Sequence, residues 1–566
     1  MPKQKTVSLG PFPDGLVNTA RDYVLPKGAA LDILNMDVTD EGNLVSRQGY
    51  SQTVAVDNGH SLSNQGDKVL FANGSELGVI TALAPLAMTT LRTGLPILPI
   101  SYAELGGRVW WSNGTDSGRC NENNTDSPWA LPTPDPLTTV FAGVGTLPVG
   151  EYRLALTYSM ANGEMSAGSE IYSFTQVSPG SIEILLPSAP AGVEYTNVFC
   201  TVANGDILHR AVTVTSATGT ASITATPEGM ELGERAFSTP MPAGEILAVH
   251  GGRLLSATGR FLFYSNPFDF GQYCPAKNYL HFPAGVSIVA PCEGGVFIVA
   301  DKTYWYDGAD IATAGRRTVL NSSGVKGTKF DLPIQRSVGW FSNDGFVIGA
   351  PDGSVSTPQV TKGFKAPVAI SGNTQVRQTN GMTHLVCSLD DASRYNKEVS
   401  VDFAVARNRY ADDQTTVVMN FSNHATSRYS NWYFNSTALI DGEWYGCDSV
   451  GLRKLEGTKD ETTEIRSVVD LGRVGYGSLQ IKSPENIYVA GKSSSPVVAE
   501  IFLPSNRSYA YPARNFSTTP TMVRIDGMKG LMNERAAWFS TAVRNNTGLI
   551  EISAVLVLVN ESSRKI

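Results

Sequence analysis

The feature that most constrains this chain is a recurring short run of β-branched and aromatic residues that closes on Asn-Gly, Asp-Gly or a near variant. Val69-Leu-Phe-Ala-Asn-Gly74 is followed 40 residues later by Val109-Trp-Trp-Ser-Asn-Gly114. Leu262-Phe-Tyr-Ser-Asn266 lies 41 residues before Thr303-Tyr-Trp-Tyr-Asp-Gly308. Val338-Gly-Trp-Phe-Ser-Asn-Asp344 and, more distantly, Trp432-Tyr-Phe-Asn435 continue the series. Such a run followed by a tight turn is a β-hairpin signal, because the turn needs backbone angles that Gly and Asn tolerate. A spacing of about 40 residues suits a four-stranded propeller blade. Helical signals are sparse: the best candidate, Ala29 to Met36 after Pro26-Lys27-Gly28, gives about two turns. The fold class expected is therefore all-β, a β-propeller carrying further β-modules.

Two stretches depart from the pattern. Between 139 and 240, Gly150-Glu-Tyr-Arg-Leu-Ala-Leu-Thr-Tyr158, Ser181-Ile-Glu-Ile-Leu-Leu186, Glu194-Tyr-Thr-Asn-Val-Phe-Cys-Thr201 and Ala211-Val-Thr-Val-Thr215 read as short strands. About seven strands in about 100 residues is the density of a fibronectin III or immunoglobulin-like sandwich. Its prolines, Pro148 on one side and Pro240 and Pro242 on the other, read as hinges of an insert. After residue 460, Thr463-Glu-Ile-Arg-Ser-Val-Val469 and Leu549-Ile-Glu-Ile-Ser-Ala-Val-Leu-Val557 are strands without the blade ending, read as a C-terminal β-sandwich. The expected organisation is an extended N-terminal arm (1–58), propeller blades (59–138), the inserted sandwich (139–240), further blades (241–460) and the C-terminal β-sandwich (461–566).

Composition narrows the function classes. Charged residues are 17% of 566, against about 25% in an ordinary domain. Few charges mean little surface given to solvation, which favours burial against partners. The net charge is −8 and no Lys/Arg-rich run exists, so no basic stripe is available to displace counterions from DNA or RNA. Six cysteines, Cys120, Cys200, Cys274, Cys292, Cys387 and Cys447, lack any C-x-x-C spacing and read as buried free thiols. The N-terminus has no apolar signal core, and the apolar run Ile552 to Val559 is too short for a membrane helix. Sequons such as Asn73-Gly-Ser75 and Asn515-Phe-Ser517 then read as Asn-rich turns.

Catalytic motifs are missing from the sequence. No H-E-x-x-H and no G-x-S-x-G occurs. Gly491-Lys492-Ser493 lacks the upstream glycine of a phosphate loop, and Gly143-Val-Gly145 has no strand-to-helix unit around it. The doublets Asp390-Asp391 and Asp412-Asp413 are poor acid/base pairs, because neighbours on a strand point to opposite faces. No catalytic, cofactor or metal residue is assigned, and a non-enzymatic protein without cofactors is expected.

The N-terminal segment carries the most specific signal. Gly15-Leu-Val-Asn18 leads to Leu25-Pro-x-Gly28-Ala29, to Asp32-x-x-Asn35-Met-Asp37, and to Gly42-x-Leu44-x-x-Arg47-x-Gly49-Tyr50. With Gly251-Gly-Arg-Leu-Leu255, Phe263-Tyr-Ser-Asn-Pro-Phe268, Arg535-Ala-Ala-Trp538 and Gly548-Leu-Ile-Glu-Ile-Ser553, this resembles the tail nozzle or tail-tube (packaged-DNA stabilisation) proteins of short-tailed, podovirus-like phages. The resemblance implies a structural virion protein assembled in the host bacterial cytoplasm. It would form a hexameric ring below the portal and adaptor, meet tail fibre or spike proteins, and let genomic DNA pass non-specifically without membrane insertion. Gly28, Gly42 and Gly49 would permit tight or positive-φ turns in the arm. Asn35, Arg47 and Tyr50 are its candidate assembly residues: the hydrogen bonds of Asn35 and Arg47 would pin the arm to a blade or to a neighbouring subunit, or close a local turn. The rivals are a receptor- or carbohydrate-binding tail protein, with Tyr429-Ser-Asn-Trp-Tyr-Phe434 as a sugar-stacking loop, and a propeller glycosidase with converging carboxylates.

Overall fold

The computed structural model describes residues 3–19, 25–379, 381–390, 415–474, 480–503, 508–513, 518–525 and 535–565. Asp391, Asp412, Asp413 and the sequon at 515–517 lie outside them. The described residues are all-β in character, and their helices are the four-residue Pro358–Thr361 and the 3-10 turn Gly233–Phe237. The chain forms two compact units, one of residues 1–97, 287–307 and 315–566, the other of residues 98–286 and 308–314.

The first unit holds four four-stranded antiparallel sheets of hairpin-linked strands. One runs Gly59–Gln65, Lys68–Asn73, Glu76–Leu83, Leu86–Arg92. Its second turn opens on Gly74 at φ 59°, which is why the aromatic run ends where it does. The others run Ile288–Cys292 through Gly315–Leu320, Phe330–Leu332 through Val355–Ser356, and Ser436–Ile440, Glu443–Cys447, Gly451–Lys454. The fourth strand of this last sheet is Ser51–Ala55, from the other end of the chain. The sheets pack in pairs. Leu62 and Phe71 share a core with Ala438, Ile440 and Leu452, and Phe297 and Trp305 share one with Trp340 and Val347.

The rest of this unit joins the two chain ends. Ile550–Lys565 alternates inward Ile550, Ile552, Val555, Val557 and Val559 with outward residues, the period of a half-buried strand. It pairs with Gln480–Ser493 on one side and with Lys3–Leu9 on the other, in the register Lys3↔Glu561 to Leu9↔Val555. A second, 11-stranded sheet takes Ser467–Val474, Phe539–Asn545, Val497–Phe502 and Ser508–Ala513, together with Gly15–Leu16, Ala29–Ala30, Asp32–Leu34 and the four strands between Gly372 and Tyr429. Phe12, Ile33, Met36, Val38 and Leu44 lie in the same apolar core as Val489, Val543 and Val557. Each such aliphatic side chain contributes about 1.5–3 kcal/mol when fully buried.

Several expectations change here. The described residues of the N-terminal segment up to Ser46 are not an extended arm but strands and turns built largely into this core, and Ser51–Ala55 belongs to a four-stranded sheet. Residues 461–566 are not a self-contained sandwich, since both of their sheets are completed by N-terminal strands. Ala29 to Met36 is extended, not helical: Ile33 pairs with Val469 and the Leu31 N–H donates to Asp470 O at 2.7 Å. A two-turn helix is marginal alone, so a sheet ladder with buried side chains prevails over it. Within 241–460, the strands Gly372–Thr379, Met382–Leu389, Thr415–Asn420 and Thr426–Tyr429 belong to the 11-stranded sheet and not to the series of four-stranded sheets.

The second unit contains two more four-stranded antiparallel sheets. These are Ser101–Leu105, Arg108–Ser112, Ser117–Cys120, Asp126–Ser127, and Ile246–His250, Arg253–Thr258, Phe261–Tyr264, Tyr279–His281. Ala103 and Trp110 pack with Leu247 and Leu254 between them. The chain between these sheets forms seven strands, Thr139–Leu147 to Thr220–Ile223, in a three-stranded and a four-stranded sheet. Leu154, Leu156 and Val198 of one meet Ile182, Ile184 and Ile223 of the other in a common core.

The aromatic runs fall in register only in part. Phe71, Trp111 and Phe341 sit on the second strands of their sheets, whereas Tyr264 and Trp305 sit on third strands. All five are buried.

Candidate functional site

The three sequence-selected residues, Asn35, Arg47 and Tyr50, come together in the first unit. Asn35 adopts a left-handed backbone, φ 55°, a conformation Asn accepts more readily than most residues. That turn redirects the chain between Asp32–Leu34 and Met36–Val38. Asn35 Nδ2 donates to Ser430 Oγ and to Arg466 O, both at 2.8 Å, while its Oδ1 accepts from Ser430 N–H and from Arg47 Nε, both at 2.9 Å.

Arg47 is fully buried, at 0% exposure. Its Nη1 donates to Asp460 Oδ1 at 2.7 Å and to Gln48 O at 2.8 Å. Its Nη2 donates to Asp460 Oδ2 at 2.6 Å and to Ser430 O at 2.8 Å. With Nε on Asn35, all five guanidinium N–H groups are satisfied, so the site has no donor left for a ligand. The fork also lies over the rings of Trp432 and Tyr429, 5.0 and 5.5 Å from their centroids. Tyr50 packs edge-on against Trp432 and Phe434, at 5.9 and 5.5 Å. Burial pushes the Tyr50 hydroxyl up to about 12, with the Asp460 charge acting the same way.

Gly49 is required for a different reason from the one expected. Its φ is not positive; a Cβ there would lie 1.9 Å from Lys459 O. Gly28 and Gly42 do take positive φ, at 92° and 84°.

A second buried cluster shares Tyr429 with the first. Arg377 Nη2 donates to Asp37 Oδ2 at 2.6 Å, and the Tyr429 hydroxyl donates to Asp37 Oδ1. Burial alone would raise the Asp37 carboxyl, but Arg377, His384 and the Tyr429 hydrogen bond outweigh it and hold it below the usual range. Arg377 and Asp37 in turn act on Tyr429, whose hydroxyl is pushed up chiefly by burial.

Arg47 thus pins the N-terminal segment to the body of its own chain. Sequence reasoning missed Asp460, Ser430 and Arg466, because they stand roughly 380–430 positions away and belong to no local motif. The rival reading of the loop 429–434 as a sugar-stacking surface meets buried rings at Tyr429, Trp432 and Phe434. The free cysteines are as expected; five are buried and Cys292 is half-buried. Among the described residues there is no group of three or more His, Cys, Asp or Glu placed to hold a metal ion, and no helix long and apolar enough to cross a membrane.

No family model matches the chain, and no curated protein is similar to it at a significant level. Among solved structures it is similar to the computationally designed Ika8 protein, at 9% identity and a TM-score of 0.31, over 72% of this chain and 100% of that one. It is similar to the Neurospora crassa Pan2 WD40 domain at 9% identity and TM-score 0.26, over 73% and 97% of the two chains. For Saccharomyces cerevisiae Sqt1 the values are 9%, 0.31, 72% and 98%.

Proposed function

We propose that this chain is a structural virion protein, the tail nozzle of a short-tailed phage, rather than an enzyme. In this reading its six hairpin-linked sheets are the blades of a β-propeller, and Ser51–Ala55 completes the last blade from the opposite chain end. The module at 139–240 is a sandwich inserted between the second and third blades. Four strands per sheet, and face-to-face cores between neighbouring sheets, support the propeller.

The observation that carries the nozzle reading is the joining of the sequence patches that resemble the family. Leu44 of the first patch pairs with Ile552 of the last, and Ser46 Oγ accepts from the Ile550 N–H at 3.0 Å. Patches that sit some 500 residues apart thus form one structural unit. Around it we place six copies in a closed ring below the adaptor, with two different complementary surfaces on each protomer. Six copies carry −48 (6 × −8), which disfavours DNA adhering to the channel wall as it leaves.

Cryo-EM of purified particles tests this. Density for the chain as an axial ring at the tail end is expected; a monomer on the tail's periphery, or a lumen lined by Lys and Arg, overturns it in favour of receptor binding. Polysaccharide turnover lost on changing one Asp or Glu would overturn the non-enzymatic part.

A further inference from the structure

The second unit contains a cavity of about 300 Å³, the lower end of the range for small-molecule sites. It is lined from separate parts of the unit: the hairpin Leu105 to Arg108, the turn Asn162 to Met165, and the loop Phe268 to Gln272. Arg119 closes one side, its Nη2 donating to both oxygens of Glu164 at 2.8 Å, its Nε to Ser127 Oγ at 2.9 Å and its Nη1 to Trp129 O at 3.5 Å. Arg235 Nη1 donates to Met165 O at 3.0 Å, and its Nη2 lies 3.3 Å from Asp269 Oδ2.

Two acceptors of this lining are unused. Gln272 is 1% exposed and donates through Nε2 to Met165 O at 2.9 Å, yet its Oε1 has no hydrogen-bond partner. Asp269 Oδ2, although near Arg235, is also buried without a hydrogen bond. Burial raises the Asp269 carboxyl, with Arg235 opposing and Glu164 adding to the rise. Arg108 is the donor in reserve, half-buried and, among the described residues, in a 3.8 Å charge contact with Glu164. At the rim stands Phe268, 89% exposed on a left-handed backbone, φ 57°. A bulky side chain in that conformation is an outlier of the kind that collects at binding sites.

These features select a ligand chemistry. Unsatisfied buried acceptors call for donors. Three arginines against two carboxylates leave the lining at +1 (3 − 2), which disfavours a cationic donor. An anion would bring more oxygens against acceptors that already lack partners. A neutral polyol meets both conditions, since each hydroxyl donates and accepts, and its C–H face suits an exposed aromatic ring. We propose that this cavity binds a neutral saccharide, with Gln272 and Asp269 accepting from its hydroxyls, Arg108 donating to its oxygens and Phe268 covering its apolar face. The site is independent of ring assembly, so its failure would leave the nozzle reading intact.

The test is saturation-transfer NMR and calorimetric titration of the full chain with neutral hexoses, N-acetylhexosamines and their disaccharides. Binding in the millimolar range or tighter is expected for at least one of them. Phe268→Ala should weaken it about tenfold, the loss of one aromatic contact, while thermal unfolding stays in place. Gln272→Leu and Asp269→Asn should also weaken it, and where either disturbs folding Phe268→Ala decides. No transfer to any sugar, unchanged binding in Phe268→Ala, or tighter binding of arginine methyl ester than of every sugar would each overturn the proposal.

Discussion

The clusters around Arg47 and Arg119 use the same pair of groups, guanidinium and carboxylate, to opposite ends. Around Arg47 every N–H is matched, Asp460 accepts both arms of the fork, and the group is sealed under Tyr429 and Trp432. Around Arg119 the guanidinium is equally committed to Glu164, but Gln272 Oε1 and Asp269 Oδ2 nearby have no hydrogen bond, and a cavity opens beside them. A saturated buried network can only hold a fold together. One with leftover acceptors beside a cavity is what the proposed saccharide would complete. The difference lies in polar groups left over after folding, not in residue type, and composition or motif searches do not register it.

The largest effect that would break this contrast is at Arg47. Arg47→Ala leaves Asp460 buried without its partner, and a loss of about 3–5 kcal/mol is expected in denaturant unfolding of the first unit. A loss under 1 kcal/mol, the value of an exposed ion pair, would put the clasp at the surface instead. Gly49→Ala follows, since its Cβ would run into the Lys459 carbonyl; about 1–3 kcal/mol is expected, measured the same way.

Acid should weaken the first unit through Asp37. Asp37 is held below its ordinary value of 3.8, so it adds stability above the unfolded pKa and loses it as pH falls through the folded one. Stability of the first unit should therefore drop on acidification below about pH 4, and Asp37→Asn should flatten that part of the profile. The smallest expected effect is Phe268→Ala on folding. At an exposed rim it should stay within about 0.5 kcal/mol in thermal unfolding, in contrast to its effect on saccharide binding.

Much of the local architecture was legible in the chain. The aromatic runs at 69–74, 109–114, 303–308 and 338–344 lie at hairpins, whereas 262–266 leads into a long connection and 432–435 is no strand; the dense stretch 139–240 holds seven strands over one core. Their register was not legible, because second and third strands of these sheets are both buried and both carry aromatics, as Trp111 and Trp305 show. Pairings between chain ends, such as Lys3 with Glu561, leave no periodic trace in sequence. Asn35 and Arg47 could be singled out from the motif they belong to and from their hydrogen-bonding side chains, but not their partners. Arg119, Glu164, Asp269 and Gln272 share no spacing at all; only folding brings them to one cavity.

The nozzle reading stands on ring assembly, and native mass spectrometry of the purified chain with its adaptor is the decisive measurement. A dominant species containing six copies of this chain, stable to dilution, is the predicted result. A chain that remains monomeric at every concentration and adaptor ratio would contradict it.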